Sequence, residues 1–218
     1  MRASIIVENY SDRILIDCGP DFRNQMLRFR PQQPNALLIT HLHYDHVAGI
    51  DDLRPFTRKS PLCVYAEKRG TDGIREKYNY MFQEHKYPGI ADVDLITIHR
   101  TPFLVGKTLV TPIRLFHYQL PVLGYRIGDF AYLTDFTLMP ESELVKLKGV
   151  KVLIIEALRR TKHLSHLSLD EAIQLSEKIG VQKVFFTHIC HQMGLHGEIE
   201  KILPPGMHLA YDGLSFEF

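Results

Sequence analysis

Four side chains that can bind a metal ion lie within six consecutive positions of this chain. They are His41, His43, Asp45 and His46, and they directly follow an apolar run at residues 36–40. Burying so many polar groups together without a cation would cost on the order of several kcal/mol. The H-x-H-x-D-H spacing therefore predicts a metal site.

Three more candidate ligands follow predicted strands later in the chain, namely His117, Asp135 and His188. Loops at strand ends can bring side chains from several strands into one pocket. Seven ligands are too many for one tetrahedral ion, and imidazole and carboxylate groups without thiolate suit zinc, manganese or iron. We therefore expect two divalent metal ions, zinc or manganese, with iron as a further choice.

A pair of such ions defines the expected chemistry. Two ions about 3.5–4 Å apart can activate a water at neutral pH and stabilise both the attacking and the leaving oxygen of a displacement. This arrangement suits hydrolysis of a phosphoester.

The elements that must position these residues are mostly short strands. The pattern predicts strands at residues 4–8, 13–16, 36–40, 62–66, 108–116, 123–127, 130–134, 151–155, 182–187, 207–211 and 214–218. The polar turn at residues 9–12 and the Gly128-Asp129 turn each predict a hairpin between the flanking strands. A short helix or turn is predicted at 51–56, and mostly helical and irregular structure at 67–94. The strongest helix signal is an S-x-x-E capping box at Ser168 and Glu171, followed by apolar residues at helical spacing and ended by Gly180.

The composition is that of an ordinary globular protein. With 218 residues, of which 45% are hydrophobic and 23% charged, we expect a single domain spanning 1–218. A net charge of +1 without a long basic run disfavours a nucleic-acid partner. No apolar stretch approaches the roughly 20 residues of a membrane span, and Glu8 interrupts any secretory signal core. We therefore expect a cytoplasmic protein without a membrane partner. The sequence leaves open whether the protein forms a homodimer.

The cysteines do not change this interpretation. Cys18, Cys63 and Cys190 are odd in number and widely spaced. Neither a disulfide framework nor a C-x-x-C zinc motif can be drawn from them. We expect three small hydrophobic side chains.

Together these motifs resemble the metallo-β-lactamase superfamily. The resemblance rests on the histidine motif behind a strand, Asp17 at the end of an earlier strand, a later His117, the aspartate of YLTDF and the first histidine of FFTHICHQ. It implies an α/β fold, a four-layer αββα sandwich with metals at one edge of two packed sheets. Family members begin with a further strand ahead of Ser4-Ile5-Ile6-Val7, so the resemblance implies that this first strand is missing.

Within the superfamily the chain resembles the phosphoribosyl cyclic phosphodiesterases, which are similar to RNase Z. This resemblance implies a small-molecule phosphodiester as the substrate. The segments FHYQLPVLGYRI and SHLSLDEAIQLSEKIGVQKVFFTHICHQ resemble two motifs of that branch, and the G-H-T-x-G signature of glyoxalase-type thioesterases is absent. The resemblance implies that one ion is bound by His41, His43 and His117 and the other by Asp45, His46 and His188. It also implies that Asp135 bridges the ions, that Asp17 orients the histidine loop, and that His166 and Asp45 serve catalysis, with His166 as the general acid. Asp135 stands where true class B β-lactamases carry a cysteine, and this difference argues against β-lactam hydrolysis.

Several alternatives remain open at this stage. His163 rivals His166 as the acid, and Arg54 either meets a substrate phosphate or forms an ion pair with Asp51 or Asp52. An RNase Z-like tRNA endonuclease is the alternative enzyme, weakened by the absence of a basic arm. A metal- or nucleotide-binding module without turnover is the alternative from another class. A flavodiiron-type oxidoreductase is disfavoured, because Tyr44 stands where that branch tends to place an acidic ligand.

Overall fold

The structure is a computed structural model that describes residues 1–218. The chain divides into two compact units, Met1–Leu109 and Val110–Phe218. The single domain expected from the chain length stays a prediction. None of the helices has the length and apolar character that crossing a membrane requires.

The first unit is built on a five-stranded sheet in the order β1-β2-β3-β4-β5. Its strands are β1 (Ile5–Asn9), β2 (Asp12–Ile16), β3 (Ala36–Leu38), β4 (Leu62–Glu67) and β5 (Val93–Ile98), and β6 (Phe103–Val105) follows. β1 and β2 form the predicted antiparallel hairpin, whereas β2 to β5 run parallel. Because β2 and β3 are parallel, their carboxyl ends lie at the same edge of the sheet. Asp17 follows β2 there, and the histidine loop follows β3.

Helices pack against this sheet around a hydrophobic core. They are α1 (Phe22–Phe29), α2 (Tyr44–Val47) and α3 (Lys68–Lys77), with 3-10 helices at Ile50–Phe56 and Asn79–Phe82. The core includes Leu15, Leu37, Ile39, Val64 and Ile74, all at most 2% exposed. The three residues of β3 are buried without exception, so the strand before the histidine loop is held firmly.

The second unit contains the other major sheet. Its strands are β7 (Thr108–His117), which begins at the end of the first unit, β8 (Leu120–Ile127), β9 (Phe130–Leu133), β10 (Val152–Glu156), β11 (Lys183–Thr187) and β12 (Met207–Leu209). They are ordered β12-β11-β10-β9-β8-β7. The hairpins β7-β8 and β8-β9 are antiparallel, and β9 to β12 are parallel. All residues of β9 and β10 are buried, which is why these central parallel strands appear in the sequence as continuous apolar runs.

The helices of this unit are α4 (Leu169–Ile179) and α5 (His196–Ile199), with 3-10 helices at Glu141–Leu147 and His191–Met193. The capping box predicted for α4 is present: the Ser168 hydroxyl accepts the Glu171 N–H, and the Glu171 carboxylate accepts the Ser168 N–H at 2.9 Å. Gly180 ends the helix with a left-handed φ of 78°, which glycine adopts without a Cβ penalty. The predicted helix is confirmed, and both of its ends are capped as the sequence predicts.

Some sequence-based expectations about elements were wrong. Residues 214–218 are not a strand; instead the Phe216 and Phe218 rings pack on Phe185 and Phe130, with centroids 4.8 and 5.0 Å apart. Helix α1 was missed because its eight residues give too short a window for a distinct helical period, although Phe22, Met26 and Phe29 stand at helical spacing. Strand β5 was missed because its exposed and buried positions do not alternate.

Candidate metal centre

In the first unit, three imidazoles of the motif lie against one another. The His41 ring centroid is 4.5 Å from that of His43 and 4.3 Å from that of His46. The carboxylate of Asp45 places Oδ2 3.4 Å from His46 Nε2. The structure therefore brings all four predicted side chains of this motif together.

Local backbone geometry explains the H-x-H-x-D-H spacing. The chain is extended at His43, with φ −61° and ψ 150°, and then forms the single turn of α2. This turn brings Asp45 and His46 back towards the histidines of the preceding extended segment. Gly19 allows the turn after β2 to approach closely, because a Cβ there would lie 2.1 Å from the carbonyl oxygen of Asp45.

Asp17 fixes the orientation of this loop from a fully buried position. Its Oδ1 accepts the Thr40 N–H at 2.9 Å, and its Oδ2 accepts the Thr40 hydroxyl at 2.8 Å and His46 Nδ1–H at 2.7 Å. Donation from Nδ1 leaves His46 in the tautomer whose Nε2 carries a lone pair. The Thr40 hydroxyl, which gives its proton to Asp17, also lies 3.0 Å from His41 Nδ1. Asp17 thus orients the imidazole of His46 directly and that of His41 through Thr40.

Asp17→Asn should lower the affinity for divalent metal by about 10- to 100-fold, the usual effect of losing such a supporting group. All three partners of the carboxylate are donors, so the amide NH₂ of asparagine would face a donor in either orientation. Competition with a chromophoric chelator measures the affinity. Asp72→Asn, an exposed site 59% accessible and paired with Lys68, is the control. Unchanged affinity in Asp17→Asn would contradict the role of Asp17.

In the second unit, four side chains converge at the carboxyl ends of the parallel strands. Asp135, Glu156, His166 and His188 each offer one nitrogen or oxygen atom, and these atoms lie within 4.8 Å of one another. His188 Nε2 is 3.2 Å from Asp135 Oδ1. The ring of His117, at the end of β7, lies 4.6 Å from that of His166. All the predicted ligands of this unit therefore belong to one cluster.

The backbone is strained at three of the predicted positions. Asp17, Asp135 and His188 have left-handed φ values of 62°, 55° and 56°. Such conformations are uncommon for residues other than glycine, and they concentrate at functional sites. At Asp135, the Thr134 hydroxyl donates to Oδ1 at 2.7 Å and helps to hold the carboxylate.

Glu156 is the residue of this cluster that the sequence analysis did not single out. It is fully buried at the end of β10. Its Oε1 accepts the Phe136 N–H, and its Oε2 is hydrogen-bonded to His166 Nδ1 at 2.7 Å. Burial, and then the charge of Asp135, raise the pKa of Glu156 well above its ordinary value. The available signal was its position, because like Asp17 it is an acidic residue that directly ends a buried parallel strand.

His166 and His163 have different environments. The His166 side chain is 12% exposed, and its ring stacks on that of His188 with centroids 5.0 Å apart. The hydrogen bond at Nδ1 leaves its Nε2 for a second partner. His163 Nδ1 instead accepts the Ser165 N–H at 3.2 Å, and burial followed by the charges of His166 and Arg159 lowers the pKa of His163. The buried carboxylate contacts His166, which is the reason to prefer it as the acid.

Arg54 lies in the 3-10 helix after the histidine motif and forms an ion pair with Asp51. Its side chain is half exposed, and Asp51 also accepts the Tyr80 hydroxyl at 2.8 Å. The ion pair left open by the sequence is thus present. A contact from Arg54 to a substrate phosphate stays a prediction.

The chemistry of both sets of side chains fits divalent metal ions. Ligand atoms about 2.0–2.2 Å from one ion lie roughly 3–4 Å apart, so a set within 4.8 Å needs only small side-chain shifts to close on an ion. Nitrogen and oxygen ligands without thiolate suit zinc, manganese or iron. All three cysteines are free thiols outside these sets.

Each unit has a sheet whose strands end on acidic and histidine residues, and comparison with known families identifies the class of protein. The chain belongs to the beta-lactamase superfamily: the family described as "Beta-lactamase superfamily domain" matches residues 12–189. The chain is similar to the solved structure of a diphosphatase from the PhnP family, with 33% sequence identity and a TM-score of 0.91. The superposition covers 100% of this chain and 84% of that chain. That similarity places it in the PhnP family. The predicted superfamily and fold are confirmed.

Two curated relatives carry other names. The chain is 41% identical over 213 residues to an octanoyltransferase of Porphyromonas gingivalis (strain ATCC BAA-308 / W83). The aligned region covers 97% of this chain and 43% of that protein. The chain is also 33% identical over 130 residues to ribonuclease Z of Bacillus cereus (strain G9842). This aligned region covers 57% of this chain and 41% of that protein. The chain therefore spans less than half the length of either relative.

Proposed function

We propose that this chain is a dinuclear metal-dependent phosphodiesterase that acts on small cyclic or nucleotide-like phosphodiesters. The observation that carries the proposal is the hydrogen bond between His166 and the buried Glu156, beside Asp135 and His188, two candidate metal ligands 3.2 Å apart. A proton donor next to metal ligands is what cleavage of an ester with a poor leaving group requires. The similarity over the whole of this chain to a diphosphatase supports a phosphoryl group as the reacting centre.

In this proposal seven side chains hold two divalent ions, zinc, manganese or iron. One ion would be held by His41, His43 and His117, the other by Asp45, His46 and His188, and Asp135 would serve both. When bound, such ions supply an activated water and stabilise negative charge on the phosphoryl oxygens.

The protein's own groups supply positioning and proton transfer. Asp17 and Thr40 fix the imidazole tautomers of the histidine loop. Glu156 holds His166 by Nδ1, so Nε2 is the nitrogen that delivers a proton to the leaving alkoxide oxygen. Burial raises the pKa of Glu156, and a positive charge on the His166 ring 2.7 Å away favours the ionised carboxylate, which in turn stabilises the imidazolium form from which that proton comes.

The names of the two curated relatives carry less weight for this chain. The octanoyltransferase is a protein of which this chain matches 43%, so its name describes a chain more than twice as long. The ribonuclease Z similarity covers 57% of this chain and keeps RNA cleavage as the second candidate. The balanced charge of the sequence favours a small substrate over a polyanion.

A substrate panel tests the proposal on protein of measured metal content. We expect hydrolysis of bis-p-nitrophenyl phosphate and of a 2′,3′-cyclic nucleotide, and no cleavage of a precursor tRNA or of a β-lactam. Cleavage of the tRNA with no turnover of either small ester would favour the ribonuclease candidate. Tight metal uptake with no hydrolysis at all would instead favour a binding module.

A further inference from the structure

We propose that Arg159 is a positioning residue that holds the loop carrying His166 in its catalytic geometry. This inference rests on the proposed function, because it concerns the delivery of a proton by His166. It assigns a role to a residue that contacts no candidate metal ligand.

The loop at residues 160–167 is closed at its base by backbone hydrogen bonds. The Leu158 N–H donates to Leu167 O at 3.0 Å, and the Leu169 N–H donates to Arg159 O at 2.9 Å. Arg159 and Ser168 form an isolated parallel bridge at the same place. These bonds fix the two ends of the loop and leave its middle, from Arg160 to Ser165, without regular secondary structure.

The Arg159 side chain supplies the contacts that the middle of the loop lacks. Its Nε donates to Thr161 O at 3.2 Å and its Nη2 to Lys162 O at 2.8 Å. Its Nη1 donates to Gln192 Oε1 at 2.8 Å. The planar guanidinium thus joins two successive carbonyls of the loop to the 3-10 helix that follows the predicted ligand His188. A lysine cannot reproduce this, because a guanidinium offers five donors in a rigid fork and an ammonium is a point charge.

The position of the clamp gives it a catalytic consequence. Thr161 and Lys162 lead directly into His163 and His166, and the rings of these two histidines lie 5.1 Å apart. His166 is held from one side by Glu156, and the loop determines the direction from which its ring approaches that carboxylate. A displacement of about 1 Å at a reacting group can cost up to about 100-fold in rate.

Arg159→Met and Arg159→Lys test the proposal, with the exposed neighbour Arg160→Met as the matched control. We expect kcat on 2′,3′-cyclic AMP, which has an alkoxide leaving group, to fall by about 10- to 100-fold in Arg159→Met with KM nearly unchanged. The loss should be much smaller on bis-p-nitrophenyl phosphate, because p-nitrophenolate leaves without protonation. Arg159→Lys should recover only part of the rate. Metal content should stay at the wild-type value.

Amide hydrogen exchange gives a readout that does not depend on activity. Exchange should accelerate at residues 160–167 in Arg159→Met and stay unchanged in Arg160→Met. Equal rate losses on both esters, or unchanged exchange in the loop, would overturn the positioning role. A wild-type protein inactive on both esters would overturn the proposed function, and the proposed role of Arg159 with it.

Discussion

Chelation of divalent metal should abolish hydrolysis of bis-p-nitrophenyl phosphate, and two equivalents of metal per chain should restore it. Metal ions contribute several kcal/mol of transition-state stabilisation, which corresponds to a loss of about 10³-fold or more. The expectation rests on two sets of ligands: the imidazoles of His41, His43 and His46 lie in contact, and Asp135 and His188 are 3.2 Å apart. Turnover measured during titration of the chelated protein, beside metal analysis, gives the stoichiometry.

Asp135→Ala provides the matched variant for this experiment. If the carboxylate serves both ions, its loss should remove both of them or most of the turnover. The control is Asp129→Ala, a partly exposed aspartate of the same unit that pairs with Lys151. Full activity at one equivalent of metal would contradict a dinuclear site. Two tightly held ions with near-normal turnover in Asp135→Ala would remove this residue from the ligand set.

The sequence predicted those elements whose signal is local. The hairpin of β1 and β2, the hairpin at Gly128-Asp129 and the capped helix α4 depend on turn and capping residues that are adjacent in the chain. Strand β5 and helix α1 depend instead on packing against distant residues. In α1 the residues Phe22, Met26 and Phe29 have helical spacing, but the helix has eight residues and only Phe22 is fully buried, so the pattern is too short to distinguish a helix from a loop.

The candidate site likewise combines residues that the sequence predicted with residues that only the folded structure reveals. The candidate metal ligands were recognisable because their residue types are rare in such spacing, and the structure brings those of each unit together. The supporting network was only partly visible. Asp17 was found through a resemblance, whereas Thr40 and Glu156 were not assigned. Threonine and glutamate are common residues, and their roles depend on hydrogen bonds to His41 and His166 that only the folded chain defines.

The geometry of His166 is compatible with two roles that an experiment can separate. Its side chain belongs to a set that could hold an ion, together with Asp135, Glu156 and His188. It also pairs with a fully buried carboxylate, as a proton donor does. A metal ligand would lose the ion on substitution, whereas a general acid would lose only the proton transfer.

His166→Ala should leave metal content unchanged and lower the rate by roughly 10²- to 10⁴-fold on an ester with an alkoxide leaving group. The alkoxide needs a proton as it departs, and His166 Nε2 is the nitrogen that the Glu156 contact leaves for this transfer. On bis-p-nitrophenyl phosphate the loss should shrink, because p-nitrophenolate is stable without a proton. His163→Ala is the control and should have a far smaller effect, since its Nδ1 accepts the Ser165 N–H and no carboxylate supports it as an acid. The test measures kcat on both esters and the metal content of each variant. Equal losses on both esters, or depletion of metal in His166→Ala, would reject the general acid and leave His166 as a ligand or a binding residue.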